Sequence, residues 1–317
     1  MKKILLLTMV LLLSISCGNK QNDKHDKHDK FPRNGMSMQL NKDDDTAFIA
    51  LKEAVVPTFK QFTYKDKSTG KSMQYNLFIP DGWEKKNYPL VLFIADASTA
   101  GKEVTAPLTQ GYGALLFASP EDQDRHPSFV LVPQYSETAV DDDWNHSDEV
   151  DMTIRLLNEI ADKYNVDKNR LYTTGQSMGG MISFYFNIAY PDVFAASLFV
   201  GSQWDTSKMN DFGNKRFFYI VAGGDKKASG GMRDLTTVLN EQHAKIDSAS
   251  WSARLPQDEQ DKLAIQLINK GGHVNFIKFE AGTVLPEDGK GMEHMASFDY
   301  AYKLTPVRDW LFEQSKK

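Results

Sequence analysis

Cysteine is almost absent from this 317-residue chain: Cys17 stands alone, so no disulfide can form within it. Its seven histidines never combine with that cysteine or with aspartates at zinc-site spacing, so neither a metal nor another cofactor is expected. An excess of charge of one sign is missing too. Forty-two acidic against 37 basic side chains leave a net charge of −5, which offers nucleic acid no basic face. Repeats of fixed period are also lacking. What is present, 41% hydrophobic and 25% charged residues, is the composition of an ordinary globular protein long enough to bury a sizeable core.

The first residues carry an address. Lys2-Lys3, an apolar run from Ile4 to Ile15 and then Ser16-Cys17-Gly18 form a signal-peptide layout, too short to span a bilayer permanently. Leu13-Ser14-Ile15-Ser16-Cys17-Gly18 is similar to a bacterial lipobox, with Ser14 where leucine is usual. The expectation is a signal peptide over 1–16, a lipidated Cys17, and a cell-envelope lipoprotein held on its membrane. Residues 17–45 then read as a polar tether, with Asp23-Lys24-His25-Asp26-Lys27-His28-Asp29-Lys30 and the acidic Asp43-Asp44-Asp45, unable to bury enough apolar surface to order itself. A single domain is expected over 46–317.

Within that domain the hydrophobic pattern changes once. Phe59 to Tyr64 and Met73 to Ile79 alternate around turn residues, as in an antiparallel hairpin. Thereafter short continuous apolar runs recur, at Leu90 to Ala95, Phe129 to Val132, Leu171 to Thr174, Ala196 to Val200, Phe217 to Ala222 and Val274 to Phe279, the mark of strands buried on both faces. Helical spacing separates them, clearest in Val150, Ile154, Leu157, Ala161 and Tyr164; other helices are expected to start near Ser177, with Met181 to Tyr190 as its helical run, near Gly231, and at about Val307 to run to the end. Alternating strand and helix predict an α/β fold: a mostly parallel central sheet flanked by helices, preceded by the antiparallel hairpin. Ligands bind such sheets beyond the carboxyl ends of the strands.

One such end carries Gly175-Gln176-Ser177-Met178-Gly179-Gly180, between a strand and a helix. G-x-S-x-G in that context is a sharp turn that lifts a serine hydroxyl clear of the backbone, with the helix N-terminus nearby to meet developing negative charge. Ser177 is therefore the candidate nucleophile and Met178 N–H a candidate oxyanion donor.

Tyr164-Asn165-Val166-Asp167-Lys168-Asn169-Arg170-Leu171-Tyr172, running into Gly175–Gly180, resembles the predicted peptidases and esterases grouped with polyhydroxybutyrate depolymerases and feruloyl esterases. Similar segments follow at Tyr88–Phe93, His126–Gln134, Tyr190–Ala196 and Asp309–Phe312, so the likeness spans most of Tyr75 to Phe312. It implies an α/β-hydrolase fold and cleavage of esters or, less often, peptides. It also implies the chain order serine, acid, histidine, which points to His294 in the loop Gly291-Met292-Glu293-His294-Met295, ahead of His146. The acid should follow a strand between the two. Asp225, after Gly223-Gly224, is preferred to Asp205, after the preceding strand. The resemblance breaks at one point: His-Gly after the first parallel strand is replaced by Ala95-Asp96-Ala97-Ser98. The second oxyanion donor must come from the Ala95 to Ala97 turn, with Ala95 and Asp96 the candidates, without glycine's freedom, and an inward carboxylate would repel the oxyanion.

Gln176, Trp144 and Trp204 are the candidate substrate-binding residues, and Trp251 lies in an extra stretch from Asp247 to Lys270. The expected activity is that of a secreted serine esterase acting on a small-molecule or glycan-linked ester, feruloyl or acetyl. A serine peptidase of the same fold is one alternative. A lipoprotein that binds glycan or peptide through a decayed site is another, prompted by the missing glycine.

Overall fold

The computed structural model describes residues 42–316, in which nine strands form one sheet. Alternation builds its first edge: β1 (Lys60–Lys65) pairs antiparallel with β2 (Ser72–Phe78), Phe62 facing Tyr75 with rings stacked at 5.4 Å. Continuous apolar runs build the centre: β3 (Leu90–Ile94), β4 (Phe129–Gln134), β5 (Leu171–Gln176), β6 (Ala196–Val200) and β7 (Phe217–Ala222) are buried throughout. β8 (Ile246–Trp251) and β9 (Val274–Phe279) complete the order β1-β2-β4-β3-β5-β6-β7-β9-β8. β2 meets β4 antiparallel, and every pairing beyond is parallel.

Helices cover both faces because both faces are apolar. In chain order they are α1 (Thr46–Val55), the short α2 (Ala106–Thr109), α3 (Tyr112–Phe117) and α4 (Pro120–Arg125), then α5 (Asp148–Lys163), α6 (Met178–Ala189), α7 (Lys226–Glu241), α8 (Gln257–Ile268), α9 (Glu293–Lys303) and α10 (Thr305–Phe312). Leu157 of α5, Ile182 of α6 and Leu235 of α7 share one buried layer with Leu92 and Phe199. Phe48 of α1, Leu115 of α3, Phe298 of α9 and Leu311 of α10 share the other with Phe93 and Ile220. Each such side chain contributes about 1.5–3 kcal/mol by leaving water. A buried ion pair also ties α10 down: Arg308 grips the Asp122 carboxylate of α4 at 2.6 and 2.9 Å.

The structure refines several expectations. The extra stretch from Asp247 to Lys270 holds the edge strand β8 followed by α8. α6 starts at Met178, directly after Ser177 as expected, whereas α7 starts at Lys226, earlier than its apolar spacing indicates, because Asp225 caps it. Residues 42–45 are tied to the domain: Lys42 pairs with Asp299 at 2.5 Å, and Asp45 caps α1 while accepting the Tyr112 hydroxyl. Cys17, the signal peptide and the rest of the tether lie outside the described residues.

The strand order positions the site. From β3 the chain crosses to β4 on one side, then returns past β3 to β5 on the other. Such a reversal opens a crevice at the carboxyl ends of β3 and β5.

Candidate active site

Ser177 stands at the carboxyl end of β5 with φ 52° and ψ −120°, a conformation that is costly for a residue other than glycine. The surroundings enforce it: Ser177 N–H donates to Val200 C=O at 3.0 Å, and its own C=O accepts from Met181 N–H at 2.9 Å. The flanking glycines are required by contact. A Cβ on Gly179 would lie 2.0 Å from the Ile94 carbonyl oxygen, and one on Gly175 would lie 2.3 Å from the Gly179 backbone. The start of α6 is thereby pressed against the end of β3.

The structure brings Ser177, His294 and Asp225 together from three separate elements. Nε2 of His294 lies 2.8 Å from Ser177 Oγ, and Nδ1 lies 2.6 Å from Asp225 Oδ2. A carboxylate can only accept, so in the neutral imidazole tautomer that this geometry favours Nδ1 would donate to Asp225 and Nε2 would face the serine O–H. Asp225 is buried; its other oxygen accepts Ala228 N–H at 3.1 Å, which caps α7. Tyr219 buttresses that turn by donating its hydroxyl to the carbonyls of Ser202 and Ala228. Burial, then the Asp225 charge, push the Tyr219 hydroxyl well above its ordinary pKa, so it remains a donor. His294 sits on the first turn of α9 rather than in a loop, with its ring edge-on to Phe298 one turn later at 5.1 Å.

The rival residues lie in other environments. Asp205 caps a 3₁₀ turn through Ser207 N–H at 3.0 Å. His146 is exposed, and its ring lies 4.4 Å from that of Tyr185.

Asp96, placed by sequence where it could repel an oxyanion, is buried and fully engaged. One oxygen caps the turn Ala97–Thr99 through Ser98 N–H at 2.7 Å; the other accepts from Gln110 at 2.6 Å and from Gln176 at 3.3 Å. Gln176 is thus buried with its amide held by Asp96, rather than projecting towards a substrate. Gln110 escaped sequence reasoning because nothing in its neighbourhood distinguishes it from any helix-end glutamine.

Two of the tryptophans do meet. The segment 135–147 after β4 extends across the carboxyl edge of the sheet: Ala139 N–H touches Met178 Sδ at 3.3 Å, and Asp142 pairs with Lys227 of α7 at 2.8 Å. At its tip, between the bridged residues Val140 and His146, half-buried Trp144 packs on Trp204 at 5.4 Å, and Trp204 packs on Tyr185 at 5.7 Å. Trp251 lies apart on β8, buried against Phe279 and bonded to Gln260.

A "Putative esterase" family model matches residues 67–218, which include Ser177 and the Asp96 turn but stop before Asp225 and His294. The chain is similar to a solved thermostable esterase at 26% identity, with a TM-score of 0.65 over 83% of this chain and 64% of that one. This is an α/β-hydrolase fold. The same hydrolase fold recurs, as a likeness of fold alone, in the feruloyl esterase module from Clostridium thermocellum complexed with sinapinate, at 12% identity and a TM-score of 0.52 over 79% of this chain and 88% of that one. It recurs again in a ferulic acid esterase from Anaeromyces mucronatus in complex with ferulic acid, at 14% identity and a TM-score of 0.50 over 79% and 91%. The chain spans less than two thirds of the thermostable esterase's length. No curated protein matches it in sequence.

Proposed function

We propose that the protein is a serine esterase that cleaves carboxylic esters, feruloyl or acetyl esters on glycans among them, through an acyl-enzyme. The unbroken hydrogen-bonded line from Ser177 Oγ through His294 to Asp225, at 2.8 and 2.6 Å, carries this reading. Ser177 Oγ attacks the ester carbonyl as its proton passes to Nε2 of His294, and Asp225 stabilises the imidazolium. The ring then returns that proton to the departing alkoxide. Water, deprotonated by the same nitrogen, releases the acid and restores Ser177.

Negative charge on the carbonyl oxygen is met by Met178 N–H and by an N–H of the Ala95–Asp96–Ala97 turn. Met178 and Ala97 each open a helix, so their N–H groups have no acceptor within it. With its carboxylate bound by Gln110, Gln176 and Ser98, Asp96 is held in place and shapes this turn. The Trp144–Trp204 pair supports an aromatic wall for the acyl or sugar group.

Replacing Ser177 with alanine should lower turnover of an aryl acetate by about 10⁴- to 10⁶-fold while leaving the circular dichroism unchanged. Hydrolysis at the wild-type rate would refute the proposal, and preferential cleavage of peptide anilides would make the protein a peptidase.

We also propose that Cys17 carries the lipid that holds the protein at the cell envelope, on the strength of Leu13–Gly18 following an apolar run. Metabolic labelling with radioactive palmitate should mark the wild type and not Cys17→Ala; equal labelling of both would reject the anchor.

A further inference from the structure

We infer that Glu293 is a positioning residue that locks the His294 ring onto Asp225; this rests on the esterase reading. The need arises from chain connectivity. Between β9 and α9, residues 280–292 contain no strand or helix, so although α9 is held by its buried Phe298 and Ala301, its first turn, which carries His294, follows an irregular segment. Glu293 is the first residue of α9 and reaches back with both carboxylate oxygens. Oε1 accepts Gly282 N–H at 2.8 Å, and Oε2 accepts Gly224 N–H at 2.8 Å. Gly224 immediately precedes Asp225, and Gly282 lies near the start of the turn segment. One side chain therefore pins the residue beside the acid to the residue beside the base, through two charge-assisted bonds.

Gly224 is shaped for this contact. A Cβ there would lie 1.9 Å from Glu293 Oε1, so any larger residue must displace the carboxylate. The neighbouring Gly223 donates its N–H to Phe279 C=O at 2.8 Å, which brings the ends of β7 and β9 close enough for one glutamate to span them.

A different role is available to an acidic residue in a helix's first turn, where its charge favours the dipole whatever its reach. Reach and charge can be separated. Glu293→Asp keeps the charge but shortens the arm, Glu293→Gln keeps the length but exchanges one acceptor for a donor, and Glu293→Ala removes both. In the full chain with 4-nitrophenyl acetate as probe, kcat should fall about 10- to 100-fold in Ala and Asp and less in Gln, with KM within about threefold of wild type. Gly224→Ala should lower kcat alone but add little to Glu293→Ala, because both remove the same contact. It also carries the test should Glu293→Ala fail to fold.

A second readout needs no ester turnover. A proton held on Nδ1 between His294 and Asp225 should give a far-downfield proton NMR resonance, to be identified by its loss in His294→Ala. It should broaden or vanish in Glu293→Ala and Glu293→Asp. Wild-type kcat and an intact resonance in Glu293→Asp, or full additivity with Gly224→Ala, would overturn the inference. A wild-type protein that turns over no ester but whose resonance depends on Glu293 would instead overturn the esterase reading alone.

Discussion

Asp225 has one oxygen on the His294 ring and the other on the first turn of α7, so a single side chain joins the proposed chemistry to a helix start. Asn at this position keeps the size but favours the wrong imidazole tautomer and cannot stabilise imidazolium. Asp225→Asn should therefore slow acyl transfer by roughly four orders of magnitude. Asp205→Asn should cost less than about tenfold, since that carboxylate only caps Ser207; stopped-flow acylation of both variants checks the ranking, and the reverse order would move the acid to β6. In the sequence the two aspartates look alike, each following a buried strand. They diverge because Gly201, at φ 51°, turns the chain after β6 into a separate 3₁₀ turn, while Gly223 and Gly224 lead the chain after β7 towards α9.

Among the elements, the segment 135–147 crosses the mouth of the proposed site and carries Trp144 at φ 66°, held by a turn in which Asp141 accepts from Asp143 and Asn145 N–H groups. Its outer link, Asp142 to Lys227, is an exposed ion pair worth about 1 kcal/mol or less. The tryptophan contact matters more, since an aromatic pair adds about 0.5–1.5 kcal/mol beyond its area. Trp144→Ala should raise KM for a feruloyl ester by about threefold to tenfold and leave KM for an acetate ester nearly unchanged; equal effects on both would remove Trp144 from the acyl wall. Sequence patterning found β3 to β7 because strands buried on both faces have continuous apolar runs. It missed β8, whose Ile246–Trp251 is only partly covered at the sheet edge and so lacks a continuous apolar run. It also placed His294 in a loop, because the only cap α9 has is Met292, which forms no side-chain capping bond.

For the molecule as a whole, acid stability is set in part far from the site. Asp66, buried at the end of β1, receives Arg155 Nε and a terminal guanidinium nitrogen at 2.8 and 2.9 Å, with help from Thr69 and Tyr64. The Arg155 bonds foremost hold its carboxyl well below the usual carboxylate range. The folded state therefore binds fewer protons here than the unfolded chain. This stabilisation is complete above the unfolded carboxylate value of about 3.9 and fades as pH falls through the lower folded value. Asp66→Asn should lower Tm at pH 7, and its gap from wild type should narrow below about pH 4; a gap independent of pH would assign the loss to packing instead.

The amino-acid order alone specified the alternation of buried strands with amphipathic helices, the hairpin, and the glycine-flanked Ser177, since each depends on neighbours within a few positions. Which aspartate meets the histidine, where the Asp96 carboxylate turns, and how Glu293 joins the ends of β7 and β9 were decided only by the fold. Those contacts link residues 14 to 80 positions apart, and only the side-by-side packing of strand ends brings them within hydrogen-bond reach.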